Sequence, residues 1–186
     1  MVLNRNGEIL IFANRKLQFA KRGGKWRYYP HVAVLQRLGK GLRTTLKQAV
    51  YDSCIDVSFA GTGGCLAVLT RDGARSIEDK EFVDPDDWLK RAQKGRTKVL
   101  NAAIGCPFQR LDRRLRQRIL AMDGATIIDH NGNILTAGAI IKVPGGSTGG
   151  GREAAARSLS QLGLGIKISA DGPIKGFRKG KEIFSG

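Results

Sequence analysis

Acidic residues are in short supply in this chain. Sixteen Asp and Glu face 32 Lys and Arg, so 186 residues carry a formal net charge of +16. That balance predicts an acidic partner, whether nucleic acid, a nucleotide or an anionic surface. The cations are spread along the whole sequence, so a basic solvated surface accounts for them equally well. Cysteine is sparse too: Cys54, Cys65 and Cys106 are odd in number, far apart and without CxxC spacing. With only two histidines for company, they argue against a zinc site or a disulfide framework and fit buried free thiols in a reducing compartment. Ser-His-Asp, Cys-His and paired-carboxylate constellations cannot be assigned from so few histidines and such scattered acids. No apolar run approaches the ~20 residues that span a bilayer. The opening MVLNRNGEILIF has too short an apolar run and no small-residue cleavage site, so no signal peptide is expected. A cytoplasmic chain with no membrane partner is the expectation, and neither an internal repeat nor a low-complexity tail is visible.

What is present suffices for a core. The hydrophobic share is 41%, with two Trp and seven Phe. The length suits one domain of ordinary size, or one with a small N-terminal addition. Asn6-Gly7 turns into a strand at Glu8 to Ala13, and Asn14-Arg15 turns again into Lys16 to Lys21, a β-hairpin. Arg22-Gly23-Gly24-Lys25 leads to Trp26-Arg27-Tyr28-Tyr29, where aromatic and basic residues interleave. Such a patch is a third strand with one packed face, or a platform that stacks bases. Lone His31 reads as structural or surface. Leu42 to Val57 carry a helical apolar stripe. Cys65 to Leu69 fit a central strand that Asp72-Gly73 closes. The preceding Gly63-Gly64 pair lets another backbone or a flat ligand come close. Asp84-Pro85 opens a helix, with Trp88, Leu89 and Ala92 inward and Gly95 as its cap. Phe108 to Leu120 predict an amphipathic helix, with Phe108, Leu111, Leu115 and Ile119 on one side and an arginine-rich opposite face that is either solvated or meets phosphates.

The stretch from Met122 to Leu162 organises the rest. It reads as strand, Asn131-Gly132 type I′ turn, return strand Ile134 to Val143, glycine-rich loop and helix Arg152 to Leu162. The loop runs Pro144-Gly145-Gly146-Ser147-Thr148-Gly149-Gly150-Gly151-Arg152. A glycine loop feeding a helix start can bind an anion. The first helical N–H groups lack internal partners, the helix dipole favours negative charge, and missing side chains let a phosphate reach the backbone. Ser147 and Thr148 add hydroxyls, and Arg152 adds a charged fork. A flexible connector is the plain alternative. No Gly-Lys-Ser/Thr closes the loop as a P-loop, and it follows a hairpin, unlike a Rossmann fingerprint. Gly163 ends the helix, and Gly165 to Ala170, an Asp171-Gly172 turn and a terminal hairpin complete the chain. The mixture without strict alternation predicts an α/β (α+β) fold, a mixed central β-sheet flanked by helices with an N-terminal β-hairpin extension.

This order of elements resembles the diadenylate cyclase domain family. Asp123-Gly124-Ala125 match the family's DGA triplet. Gly149-Gly150-Gly151-Arg152-Glu153-Ala154-Ala155 stand where its Gly-Thr-Arg-His-Arg stretch opens an alanine-rich helix, and Ile168 to Ile174 resemble its closing Val-Ser-Glu-Glu-x-Gly-x-Ile. The resemblance covers about residues 58 to 186. It implies a diadenylate-cyclase-like fold in which two ATP molecules meet across two subunits, with Asp123 as the catalytic residue and the ligand of Mg²⁺ or Mn²⁺. A carboxylate suits that role because a hard cation takes oxygen ligands. Gly124, Ala125, Ser147, Thr148, Gly149, Gly150, Gly151 and Arg152 would contact the nucleotide and its phosphates. Glu153 is expected to set a carboxylate beside the phosphate position, which favours binding over catalysis. The altered second motif is similar to that of divergent sensor domains of this fold in bacterial defence systems. The expected organisation is therefore an N-terminal extension over residues 1–40 and a nucleotide-binding domain over 41–186. The leading expectation is a nucleotide sensor for ATP or a cyclic dinucleotide, homo-oligomeric and coupled to an effector protein. An active diadenylate cyclase and a basic nucleic-acid-binding module are the alternatives.

Overall fold

The computed structural model describes residues 1–3, 7–13, 16–39, 41–78, 82–91, 98, 100–102, 104–143 and 150–186. Four short strands come first: β1 (Val2–Leu3), β2 (Ile9–Ala13), β3 (Lys16–Arg22) and β4 (Lys25–Tyr28) form an antiparallel sheet in sequence order. The extension is thus a hairpin with a strand added on each side, and the aromatic patch supplies one of them. Its inner face packs Leu17, Ala20 and Tyr29 against Ile55 and Phe59. These two belong to α2 (Thr44–Ala60), which follows the short α1 (His31–Arg37). Arg22 fastens the contact. It is buried, donates to Glu8 at 2.5 Å and to the Ser58 hydroxyl and carbonyl at 2.9 and 2.8 Å, and lies over the Phe59 ring. His31 is structural, with its ring edge-on to Tyr51 and its Nε2 on the Leu17 carbonyl.

The second sheet is mixed, as the sequence predicts. Its strands are β5 (Gly64–Leu69), β6 (Ala125–Ile128), β7 (Ile134–Ala139), β8 (Gly163–Ile168), β9 (Ile174–Arg178) and β10 (Lys181–Ser185). Their order is β10-β9-β8-β5-β6-β7, and β5 with β6 is the parallel pair. Two apolar layers cover it. Leu66, Val68, Ile128, Ile166 and Ile168 face α2 and α4 (Arg113–Leu120). Cys65, Ala67, Leu69, Ala125 and Ile127 face α5 (Gly151–Leu159) through Ala155, Ala156 and Leu159. α5 lies close on β8 because Gly165 has no side chain; a Cβ there would fall on the Ala156 carbonyl.

Several local expectations change. The apolar stripe from Phe108 to Leu120 is two pieces: a 3₁₀ turn at Phe108–Arg110, an extended Leu111, then α4 capped by the Asp112 carboxylate on the Arg114 and Leu115 amides. Both pieces face one core, so the periodicity crosses the break. Asp84-Pro85 does start a turn, but Pro85–Asp87 and Leu89–Arg91 are 3₁₀ turns separated by an extended Trp88 that bridges to Thr136. Ala92 and Gly95 lie outside the described residues. Asp72-Gly73 sits inside the helix α3 (Arg71–Ser76), because the Thr70 hydroxyl accepts from Gly73 N at 3.0 Å. The strand expected to reach Val143 ends at Ala139. Gly163 begins β8 rather than closing α5.

The Asn131-Gly132 turn is not type I′. Gly132 has φ +89, but Asn131 is not at positive φ, and the Asp129 carboxylate holds the Asn131 and Asn133 amides. Gly132 N returns to the Asp129 carbonyl, a β-turn with the glycine as a bulge residue. The two-residue turn with both φ positive falls at Lys179-Gly180, with φ +50 and +74, between β9 and β10.

Candidate functional site

β5 and β6 run parallel, with Cys65 opposite Ala125, so their amino ends lie side by side. β7 returns antiparallel and places Ala139 against Ala125. The chain then reaches the start of α5 next to that corner. A cleft of about 420 Å³ opens there, lined by Asp123, Gly124 and Ala125 on one side and Gly151, Arg152 and Ala155 on another, with Cys65, Ala139, Ile140 and Ile141 completing the wall. Five of the residues singled out from the sequence therefore meet in one place: Asp123, Gly124, Ala125, Gly151 and Arg152. Gly150, at φ +83, is the N-cap of α5 and has no side chain to cap it. Ser147, Thr148 and Gly149 lie outside the described residues.

Each side has a physical reason for its residue types. Gly124 has φ +96, and a Cβ there would stand 2.5 Å from the Ala139 carbonyl oxygen. Glycine thus lets β6 start flush against the end of β7 while Asp123, exposed, points its carboxylate at the rim and accepts from Gly124 N at 3.1 Å. Arg152 is half-buried, and its Nε is buried without a hydrogen-bond partner among the described residues. Its guanidinium rests against Gly63, where a Cβ would sit 2.9 Å from Nη1. The Gly63-Gly64 pair does admit neighbours closely: Gly63 the arginine, Gly64 the Leu120 carbonyl. Burial pushes the Cys65 thiol up to about 12, with the Arg152 charge pulling the other way.

Glu153 departs from expectation. Its carboxylate is not among the cleft-lining groups. It accepts from Lys167 Nζ at 2.9 Å and from Arg157 Nε and Nη2 at 3.1 and 2.9 Å, and these bonds, Lys167 first, hold it below the usual carboxylate range against the opposing effect of burial. The negative charge foreseen beside the phosphate position is instead paired with Lys167 and Arg157. The arginine-rich helix also divides. Arg113 makes a two-point bond to Asp56 at 2.7 and 2.6 Å, and Arg116 donates to Ser53 Oγ, whereas Arg110, Arg114 and Arg118 stay exposed.

Among the described residues no group of three or more His, Cys, Asp or Glu could hold a metal ion. Among the same residues, Asp123 is the one carboxylate that lines the cleft. That donor set fits a divalent ion arriving with polyphosphate oxygens and water, the usual habit of Mg²⁺, and does not fit an all-protein cage. No described helix is long and apolar enough to cross a membrane. A second cleft, of about 450 Å³, opens at the other end of β5 beside Arg71, His130 and Arg178.

Likeness to solved structures bears on the fold alone. A protein described as a hypothetical membrane-spanning protein from Bacillus cereus superposes with a TM-score of 0.56 at 16% identity, over 80% of this chain and 66% of that one. The two share a fold, and this chain spans just under two thirds of the other's length. DacA from Staphylococcus aureus, solved as a double cysteine mutant, aligns at 20% identity over 73% of this chain and 82% of that one, with a TM-score of 0.41, an overlap too loose to argue from. No family model and no curated protein matches the sequence.

Sequence reasoning missed Cys65, Ala139, Ile140, Ile141 and Ala155 as cleft walls. The signal for Cys65 was its place at the start of a buried strand, but only the β5–β6 register sets it beside Ala125. The Arg152–Gly63 and Glu153–Lys167 contacts had no signal along the chain.

Proposed function

We propose that the chain is a nucleotide-binding module whose cleft takes the phosphates of ATP or of a cyclic dinucleotide. One observation carries this: Asp123-Gly124-Ala125 and Gly151-Arg152 converge on one cleft, where a guanidinium with a buried Nε flanks a helix start whose N-cap is Gly150, neither having a side-chain partner among the described residues. An anion there gains backbone donors, the helix dipole and the Arg152 charge together. The cleft volume is in the range of ligand pockets. Ser147, Thr148 and Gly149 are proposed as further phosphate-binding residues. Asp123 would hold Mg²⁺ or Mn²⁺, which offsets phosphate charge, or a ribose hydroxyl. Residues 41–186 would form the binding unit and 1–40 an extension. Self-association, an effector partner and a role in bacterial signalling or defence belong to the same reading.

A second reading, an active diadenylate cyclase joining two ATP into cyclic di-AMP, is favoured by the Glu153 geometry. With that carboxylate committed to Lys167 and Arg157, the electrostatic objection to a phosphate at the helix start falls away.

The test is to incubate purified protein with ATP and Mg²⁺ or Mn²⁺, then analyse released product and retained ligand by mass spectrometry. Retained nucleotide without product, lost in Arg152→Gln, is the expected result. Cyclic di-AMP that disappears in Asp123→Asn would establish the second reading. Neither product nor retained nucleotide, with cyclic di-AMP offered in a parallel incubation, would overturn both.

A further inference from the structure

The N-terminal sheet has one face packed on α2 and one face without a partner among the described residues. Cross-strand register defines the outward face. Phe19 stands opposite Tyr28, and Lys21 opposite Trp26, so three aromatic rings and one lysine occupy a block of four neighbouring positions. Ile9 and Ile11 continue the same two rows on β2. Phe19 is 42% exposed, Trp26 54% and Tyr28 55%, which is unusual for rings set side by side. The Phe19 and Tyr28 rings are 5.1 Å apart and tilted, supporting each other while leaving ring surface to solvent.

Charge sets the kind of partner. The first 40 residues hold nine Lys and Arg against a single acid, Glu8, so half of the chain's net charge lies here. Glu8 is engaged by the buried Arg22 on the packed side, and no carboxylate occupies the outward positions among the described residues. An apolar protein partner would have to bury Lys21 among rings and leave it uncompensated, at a substantial desolvation cost. A polyanion with flat bases removes that cost. Phosphates meet Lys21, within the positive field of this segment, while bases stack on the rings. Trp26 and Tyr28 are two residues apart on one strand, about 6.6 Å, a spacing that an unstacked single strand spans from base to base.

We propose that this outward face binds single-stranded nucleic acid. Phe19, Trp26 and Tyr28 are the stacking surface and Lys21 the phosphate contact. The site is separate from the nucleotide cleft and does not rest on the function proposed for it.

The experiment uses the full chain and oligo(dT) of about twelve nucleotides, read by fluorescence anisotropy and by intrinsic tryptophan quenching. The chain has two tryptophans, and Trp88 is buried. Quenching on binding is therefore expected in the unaltered protein and absent in Trp26→Phe. Tyr28→Ala and Phe19→Ala preserve charge and should each weaken binding by about fivefold or more. Affinity should fall steeply with added salt, and duplex DNA should compete poorly. Arg114→Gln with Arg118→Gln, on α4, should change little. Several results would overturn the proposal: no binding, or aromatic variants that bind as tightly as the unaltered chain while the α4 variant loses affinity. A dimer dispersed by Trp26→Ala with no oligonucleotide bound would instead make the face an interface between copies. Far-UV circular dichroism of each variant verifies that losses are local.

Discussion

Replacing Gly124 by Ala isolates the reason a glycine stands in the middle of the Asp123-Gly124-Ala125 corner. At φ +96 an alanine is strained whatever its surroundings, which costs about 1 kcal/mol or somewhat more. The new Cβ would also stand 2.5 Å from the Ala139 carbonyl oxygen and 2.6 Å from the Gly138 carbonyl carbon. Both are backbone atoms in a paired strand and cannot swing aside, so overpacking adds about 1–3 kcal/mol. The total, about 2–4 kcal/mol, corresponds for a chain of this size to a Tm lowered by roughly 5–15 °C. Gly24 is the matched control. It sits at φ +76 in the β3–β4 turn, and an added methyl there would meet nothing within 4 Å, so Gly24→Ala should cost the backbone part alone, about 1 kcal/mol. Urea unfolding followed by far-UV circular dichroism, extrapolated to zero denaturant, gives both differences. Equal losses in the two variants would refute the reasoning, because they would mean that β7 yields and the close approach is not enforced.

Other outcomes can be checked alongside. Glu153→Gln should destabilise by about 1–2 kcal/mol at pH 7, as charged hydrogen bonds to Lys167 and Arg157 weaken. The Glu153 pKa is lower folded than unfolded, so its contribution is complete above the ordinary glutamate value of the unfolded chain and vanishes as pH falls through the folded one. A gap between variant and unaltered protein that persists at strongly acidic pH would contradict this. Arg22→Ala should release the N-terminal sheet from α2, with hydrogen exchange accelerating in β2–β4 while β5 and β8 stay protected; uniform acceleration would mean that the two sheets unfold together. Arg152→Gln should lower nucleotide affinity by roughly 10- to 100-fold in a titration while leaving Tm nearly unchanged. Of the three thiols, half-buried Cys106 should be labelled first by a maleimide, because Cys54 and Cys65 are buried and burial pushes both thiols up; early labelling of Cys65 would show that the cleft opens.

Much of the fold was legible along the chain. Apolar periodicity marked α2, β5 and the β8–β10 region within a few residues, because each of these elements buries a face that its own spacing encodes. Periodicity misled where two short pieces serve one core, as at Phe108 to Leu120, and where a side chain supplies a cap the pattern cannot reveal, as Asp112 and Thr70 do. Asn131-Gly132 carried the strongest turn signal, yet the Asp129 carboxylate claimed the neighbouring amides and set a different geometry, while Lys179-Gly180 adopted the two-residue turn. Local chemistry chose between turns that composition alone ranks the other way.

The candidate site divides along the same line. Sequence by itself determined the parts: an Asp-Gly-Ala corner, a glycine loop feeding an alanine-rich helix with Arg152 at its start, and an N-terminal segment dense in cations and aromatics. Tertiary structure alone decided how they meet. The parallel β5–β6 register set Cys65 beside Ala125, the missing Cβ of Gly63 made room for the Arg152 guanidinium, and Lys167 on β8 drew Glu153 away from the cleft. The same holds for Phe19, Lys21, Trp26 and Tyr28, whose shared outward face follows from β3–β4 pairing. The physical reason is one of range. Propensity, capping and period act over a few residues, whereas a site is made where segments distant in sequence are forced together by burial of the faces between them.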